Sequence, residues 1–186
     1  MTRFDFHNTP LPGLKLIQRK PIEDSRGFLA RVFSVDEFRL VGMEKPIAQI
    51  NHTLTRGKGA VRGLHFQTPP HAEIKLVSCL AGAVFDVAVD LRAGSATFLR
   101  WHGEVLSAEN QRSLLIPEGF AHGFQTLTKD AQLLYLHTAT YHPEAEAALN
   151  CADPKLAIDW PLPVADLSNR DRAHPFIDSH FFGIRL

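Results

Sequence analysis

The chain has 186 residues, twenty Lys or Arg against twenty Asp or Glu, and 45% hydrophobic content, which suits one globular domain spanning 1–186. With formal charges balanced and no long run of one sign, it lacks the electrostatic footprint of a nucleic-acid or anionic-membrane binder, so any anion needs a local cluster. The two cysteines, Cys79 and Cys151, are too few for a disulfide framework, the N-terminus lacks the apolar core of a signal peptide, and no apolar run is long enough to span a bilayer; a cytoplasmic protein is expected.

Residues 14–17 predict an opening strand, and 21–27 a loop rich in turn formers and charge. Residues 28–33 return to an extended pattern. Ser34, followed by Glu37 three positions on, has the spacing of a capping box for one short helix ending near Gly42. From 47 to 53 the pattern alternates, with Gln49, Asn51 and Thr53 on one face and Ile50 on the other. Arg56, Gly57, Lys58 and Gly59 form a flexible basic loop without the pattern of a P-loop, and a plain hairpin connection is expected there.

Residues 61–67 form a strand carrying an arginine and a histidine. On an ideal strand Arg62 and Leu64 share one face, while Val61, Gly63, His65 and Gln67 share the other. If Arg62 and His65 serve one ligand, Gly63 must mark a bulge or bend, or Arg62 must serve a neighbouring subunit's site. After Pro69 and Pro70 come strands at 74–80 and 84–91, joined by a tight turn at Ala81 and Gly82. Phe85, Val87 and Val89 alternate with Asp86, Ala88 and Asp90, the pattern of a half-buried strand. Further strands are expected at 97–106, 112–116, 123–127 and 132–140, separated by turn chemistry. So many short strands with so little helical periodicity argue for a β-barrel or jelly roll. From Pro143 the pattern gives way to a Pro-rich tail with one short helix at 143–147, and Pro154, Pro161 and Pro175 force extended or turn geometry, so the tail should wrap over the barrel.

His65, Lys75, Asp86, His122, Tyr135 and, from the tail, Asp171 are the chemically capable residues. Each alone has a structural explanation: a hydrogen-bonded core histidine, a solvated lysine, a satisfied acceptor, a wall tyrosine. Together they suit proton transfer beside a carbonyl, with a histidine oriented by a carboxylate as general base, a tyrosine opposite it as general acid, and a lysine stabilising an enolate oxygen. Such groups contribute roughly 10²- to 10⁴-fold each, so no cofactor is required. A metal set built on His65 and His122 is incomplete, because Gln67 stands where a metal-binding cupin carries its second histidine, and His71 and Glu73 flank a proline turn. No metal is expected.

The segments Arg26-Gly27-Phe28, 61–67, 75–77, 84–92, 106–110, 116–124 and 167–171 closely resemble the dTDP-4-dehydrorhamnose 3,5-epimerase family, over a match from about 10 to 175. The stretches at 62–65, 85–90 and 117–124 carry the resemblance most specifically. It implies an all-β, cupin-like jelly roll with a few short helices and a wrapping tail, assembled as a homodimer whose strands partly cross between subunits. It implies a metal- and cofactor-free epimerase that inverts C3, C5 or both in a nucleotide-diphospho-4-keto-6-deoxyhexose, most readily dTDP-4-dehydro-6-deoxyglucose. His65 would be the base held by Asp171, Tyr135 the acid, and Lys75 the neighbour of the enolate. Arg26, Gln49, Asn51, Arg62 and His122 match positions that hold the diphosphate or sugar, Asp86 joins them, and Arg170 adds charge; arginines suit a diphosphate.

The departures lie at the nucleotide base. The family continues after Arg-Gly-Phe with phenylalanines and a glutamate that help hold thymine, whereas this chain has Leu29, Ala30 and Arg31. Arg31 only donates, and cannot replace an acceptor for thymine N3–H. Tyr141 can still stack on a base, although Thr140 beside it stands where an aromatic is often found. Three outcomes stay open: thymidine held differently, another nucleotide such as GDP or CDP, or a modified sugar. His137, two after Tyr135 and on the same face, stands where a small residue is usual, and either narrows the sugar pocket, alters which carbon is inverted, or is a wall residue. A ketoisomerase on the same scaffold and a non-catalytic sugar-nucleotide-binding cupin are the alternative functions.

Overall fold

The computed structural model describes residues 2–186. In chain order the strands are β1 (Phe4–Asn8), β2 (Lys15–Arg19), β3 (Ile22–Asp24), β4 (Gly27–Leu29), β5 (Gln49–Arg56), β6 (Ala60–Gln67) and β7 (Lys75–Ala81). They continue as β8 (Ala83–Asp90), β9 (Trp101–Ser107), β10 (Arg112–Ile116), β11 (Phe120–Thr126), β12 (Asp130–His137), β13 (Glu146–Ala148) and β14 (Asp166–Leu167), with two short helices, α1 (Val35–Arg39) and α2 (Asn169–Arg172). One sheet has the order β1-β2-β10-β7-β12-β5, the other β13-β6-β11-β8-β9 with β14 added to β6, and β3 pairs only with β4. From β5 to β12 the chain passes between the two large sheets at nearly every connection, which makes a jelly roll. No helix among the described residues is long and apolar enough to cross a membrane.

Alternation along the strands sorts the apolar side chains into three layers. Val77, Leu114, Leu133, Val84 and Phe124 fill the space between the sheets. Phe4, Ile17, Leu76, Leu115 and Leu136 face out from the first sheet and are covered by Phe38 of α1 and by Met43. Val61, Leu64, Val87, Val89 and Ala121 face out from the second sheet and pack under Leu149, Cys151, Leu156 and Ile177 of the tail. The tail therefore does wrap the barrel. For the same reason β8 is buried on both faces and not half-buried: Asp86 and Asp90 point the other way and are also inaccessible.

Other local expectations change for identifiable reasons. The loop of Arg56 to Gly59 joins β5 of one sheet to β6 of the other, and is not a hairpin. Ser34 stands at the N-cap of α1 without a side-chain cap bond, and the carboxylate of Glu37, the other half of the expected capping box, accepts from the Arg3 backbone N–H. Residues 97–100 turn, with Arg100 N–H bonded back to the Thr97 carbonyl, so β9 begins later than its apolar pattern suggested. The segment at 143–147 is no helix: it turns and then pairs with β6 as β13. The helix of the tail lies further on, at α2, where the Ser168 side chain accepts from the Asp171 N–H. Cys79 and Cys151 are free and buried.

The conflict between Arg62 and His65 is resolved by a bulge. Opposite β6, His122 pairs with His65 and Phe124 with Arg62, so Gly63 and Leu64 together oppose the single residue Gly123. The extra residue resets the alternation, and Arg62 and His65 both face inward. Gly63 has φ +132°, and a Cβ there would lie 2.5 Å from Gly123 Cα; a Cβ on Gly123 would lie 2.7 Å from the Arg62 carbonyl oxygen. Only glycine fits either position. Gly123→Ala should therefore cost about 1–3 kcal/mol by overpacking against backbone, read as a lower midpoint in urea at unchanged m-value, whereas Gly57→Ala in the open loop, which has φ +87° but nothing near its Cβ, should cost less. Equal losses at the two sites would show that the close approach is not the constraint.

Candidate active site

A cavity of about 670 Å³ opens between the two sheets, with Phe124 of the apolar filling on its wall. The second sheet contributes Arg62, His65 and His122, and the first contributes Asn51, Lys75 and Tyr135. Register explains the grouping. Tyr135 lies between Val77 and Asn51, and His137 between Lys75 and Gln49, so alternate residues of three adjacent strands form two rows on one inward face.

The tail supplies the partner of His65. β14 pairs in parallel with Ala60 and Val61, the Ser168 cap starts α2, and Asp171 in its first turn accepts a 2.7 Å hydrogen bond from His65 Nε2. Asn150 Nδ2 donates to the carbonyls of Arg172 and His174 and fixes the far end of α2. His174 Nε2 lies 3.3 Å from the same carboxylate oxygen, with its ring edge-on to His65. Burial, the largest influence, and the charge of Lys75 hold the His65 imidazole below its ordinary value, while Asp171 and Glu146 act the other way. Burial raises the Asp171 carboxyl, but the bond from His65, the charge of His65, the Ser168 side chain and His174 outweigh it, and its pKa falls below the usual range. His65 is thus a neutral imidazole with its proton on Nε2 and a free electron pair on Nδ1.

Tyr135 faces this pair from the opposite sheet. Burial, with the Asp86 charge second, pushes its phenol far up, against smaller opposing effects of Thr53 and Arg62, so it stays protonated. His122, edge-on to Tyr135 at 5.9 Å, donates through Nε2 to Asp86 at 2.8 Å. Asp86 therefore stands behind His122 and does not line the cavity. Lys75 Nζ lies 3.2 Å from Glu73 Oε1 and donates to the His65 carbonyl at 3.3 Å.

Of the remaining candidates, Tyr141 and Arg170 stand at the rim, both tied to Glu146: the Tyr141 hydroxyl donates to it at 2.7 Å and Arg170 pairs with it. Gln49 sits just behind Asn51, donating to its side-chain oxygen at 3.1 Å. Arg26 and Arg31 are elsewhere. Arg26 is at the exposed β3–β4 turn, paired with Asp24, and Arg31 pairs with Glu37 at 3.3 Å. Gln67 is a structural clamp, donating to the His71 and Thr140 carbonyls and accepting from the His142 N–H. The metal-type grouping among the described residues is His65, Asp171 and His174, with ligand atoms within 4.8 Å of one another; it shares the carboxylate already bonded to His65. Glu73, Glu146 and His174 were not singled out from the sequence. Only their positions two before Lys75, shortly after Tyr141 and three after Asp171 could have pointed to them.

The profile of a family described as dTDP-4-dehydrorhamnose 3,5-epimerase matches residues 8–179. A dTDP-4-dehydrorhamnose 3,5-epimerase of Salmonella typhimurium is 43% identical over 172 residues, covering 91% of this chain and 93% of that protein. The crystal structure of a dTDP-6-deoxy-D-glucose-3,5-epimerase from Legionella pneumophila, in complex with dTDP-4-keto-L-rhamnose, superposes with a TM-score of 0.91 at 42% identity, covering 98% of this chain and 99% of that one. A 3'-monoepimerase from Streptomyces bikiniensis, in complex with dTDP-quinovose, superposes with a TM-score of 0.85 at 35% identity over 91% and 86% of the two chains. A jelly roll with a histidine–carboxylate pair facing a buried tyrosine, matched along nearly its whole length, places this chain in the dTDP-4-dehydrorhamnose 3,5-epimerase family.

Proposed function

We propose that the protein is a cofactor-independent epimerase that inverts C3, C5 or both in a dTDP-linked 4-keto-6-deoxyhexose. The observation that carries this reading is the placement of a neutral, carboxylate-held His65 and a protonated Tyr135 on opposite walls of one cavity. The ketone at C4 acidifies the hydrogens at C3 and C5. His65 takes one of them, the C–H electron pair moves into the ring as an enolate, and Lys75 hydrogen-bonds the charged oxygen. Tyr135 then returns a proton to the other face, and the centre is inverted. Arg62 and Arg170 are suited to the diphosphate, with Asn51, Gln49 and His122 on the sugar side and Tyr141 at the base.

Arg26 and Arg31 enter through a second subunit. The β3–β4 hairpin exposes Ile22, Phe28 and Leu29 (Leu29 is 71% accessible), and β5 is an edge strand whose outer face shows Ile50 at 61%. An open edge beside an exposed apolar hairpin is suited to strand exchange in a homodimer, in which the hairpin would close the partner's nucleotide site. The bound nucleotides of the relatives support thymidine diphosphate, held without the usual glutamate. Two buried thiols and the lack of a membrane-crossing helix among the described residues fit a cytoplasmic enzyme.

With dTDP-4-dehydro-6-deoxyglucose in deuterated water, His65→Ala should lower isotope exchange at C3 and C5 by about 10²- to 10⁴-fold. Tyr135→Phe should lose inversion more than exchange, because the base can return a proton to the face it came from; inversion at the wild-type rate in this variant would remove Tyr135 from the mechanism, and a C3-ketone product by NMR would replace epimerisation with ketoisomerisation.

The pH profile follows from the direction of the shifts. His65 must be unprotonated and its pKa lies below the ordinary 6.5, so kcat/KM should hold through neutrality and fall only as the pH drops below that value. An acid limb centred above 6.5 would contradict this.

Light scattering should give twice the chain mass. Leu29→Lys should yield monomer and abolish a thermal shift that, in the unaltered protein, is larger with dTDP than with GDP or CDP; a monomeric protein that keeps the dTDP shift would rule out a nucleotide site completed by the partner.

A further inference from the structure

His137 belongs to none of the steps above, yet it is buried in the cavity wall in a defined hydrogen-bonded setting. Its Nδ1 lies 2.8 Å from Glu73 Oε2, and the other oxygen of Glu73 holds Lys75. Its Nε2 lies 3.4 Å from Asn51 Nδ2. Asn51 Oδ1 accepts from Gln49 Nε2 at 3.1 Å, and Gln49 Oε1 accepts from the Tyr141 backbone N–H at 3.1 Å. A single chain of hydrogen bonds thus runs from Lys75, at the reacting end of the cavity, to Tyr141 at its rim.

We infer that His137, oriented by Glu73, is a positioning residue for the nucleotide sugar: as the Nδ1–H tautomer it holds the His137 end of this chain and so the orientation in which Asn51 meets the substrate. The inference rests on the reading of the cavity as a nucleotide-sugar site. Both ends of the chain have a polarity that cannot reverse. A carboxylate only accepts and a backbone N–H only donates. Because Glu73 accepts, His137 Nδ1 donates; because that proton is placed, neutral His137 has only a lone pair on Nε2, and Asn51 must turn its NH₂ group towards it. Tyr141 independently turns the Gln49 oxygen to the rim and its NH₂ towards Asn51. The two constraints meet at Asn51 and agree. Asn51, which lines the cavity, then has one N–H left for a substrate oxygen. A small residue at 137 would remove the acceptor for Asn51 Nδ2 and leave the Asn51 amide held from the Gln49 side alone.

The groups around His137 are few. Glu73 and Lys75 face it from the β7 side, Tyr135 stacks beside it on β12 at 5.8 Å, and Gln49 and Asn51 face it from β5; across the cavity stand His65 with Asp171, and Glu146. The carboxyl of Glu73 is raised by burial but lowered more by its bonds to His137 and Lys75, and it remains charged.

The test combines kinetics with a direct view of the tautomer. His137→Leu should raise KM for the 4-keto sugar nucleotide by about five- to tenfold, the effect of about one hydrogen bond, with a smaller change in kcat, and His137→Gln, whose amide offers one donor and one acceptor, should restore much of it. In the unaltered protein, ¹⁵N-histidine NMR at neutral pH should show His137 with a protonated Nδ1 and an unprotonated Nε2. An unchanged KM in His137→Leu, or a proton on Nε2 at neutral pH, would overturn the proposal. If the unaltered enzyme exchanges no proton of any nucleotide sugar, the epimerase reading fails instead, while the NMR result still decides the tautomer.

Discussion

Two glycines facing one another across neighbouring strands set the geometry on which the rest of the cavity depends. Gly63 and Gly123 come so close that a methyl group on either would overlap the other strand's backbone, and the bulge they permit shifts the β6 register by one residue. Without that shift, Arg62 and His65 would point to opposite faces. With it, Arg62 and His65 emerge on one wall, while Val61, Leu64 and Phe66 all turn outward beneath the tail. One local feature therefore supplies the inner wall of the site and the apolar seat of the tail that carries Asp171.

The cavity is costly to fold. His65 with Asp171, His122 with Asp86, and His137 with Glu73 and Lys75 all sit where apolar side chains would pack with less desolvation. Asp86 Oδ2 is buried with no hydrogen-bond partner, a cost of about 1–3 kcal/mol in a typical interior. Its negative charge does have a consequence on the page, because it opposes ionisation of Tyr135. The apolar layers compensate by segregation. The inter-sheet filling reaches the cavity wall at Phe124, and the two outer faces are sealed by α1 and by the tail, so the polar cavity can remain open.

The strands and the inward polar residues were legible because period-2 alternation is a local property: Asn51 beside Gln49, and Tyr135 two before His137, can be counted along the chain. What could not be counted was anything set by a partner strand. The β6 bulge is a relation between two strands, and Gly63 alone signals only a possible irregularity. β8 looked half-buried because its outer cover, the tail, lies far away in sequence. The strand-like turn at 97–100 was decided by a backbone bond from Arg100 to Thr97, and the Glu37 carboxylate was drawn from the capping box by the Arg3 N–H, 34 residues away. Glu73 was passed over as a turn residue because its meaning depends on Lys75 and His137 together, and His137 reaches it only through the β7–β12 pairing. Arg26 and Arg31 resemble binding residues by position, yet this subunit alone places them on its surface.

The groups proposed as acid and base are poised by one physical cause acting on opposite charge types. Withdrawal from water disfavours whichever form is ionised, so it lowers the basicity of His65, whose charged form is the cation, and raises the pKa of Tyr135, whose charged form is the anion. The two shifts move apart. Between them lies a wide pH interval in which the imidazole is free to accept a proton and the phenol still holds one, the state that the proposed inversion would require at its start. In the proposed reaction one inversion would leave His65 protonated and Tyr135 as a phenolate, each in the form its surroundings disfavour, and the same desolvation would drive both back. On that proposal the site would be reset by the burial that prepared it, and Lys75, held by Glu73, would need only to stabilise charge on the substrate.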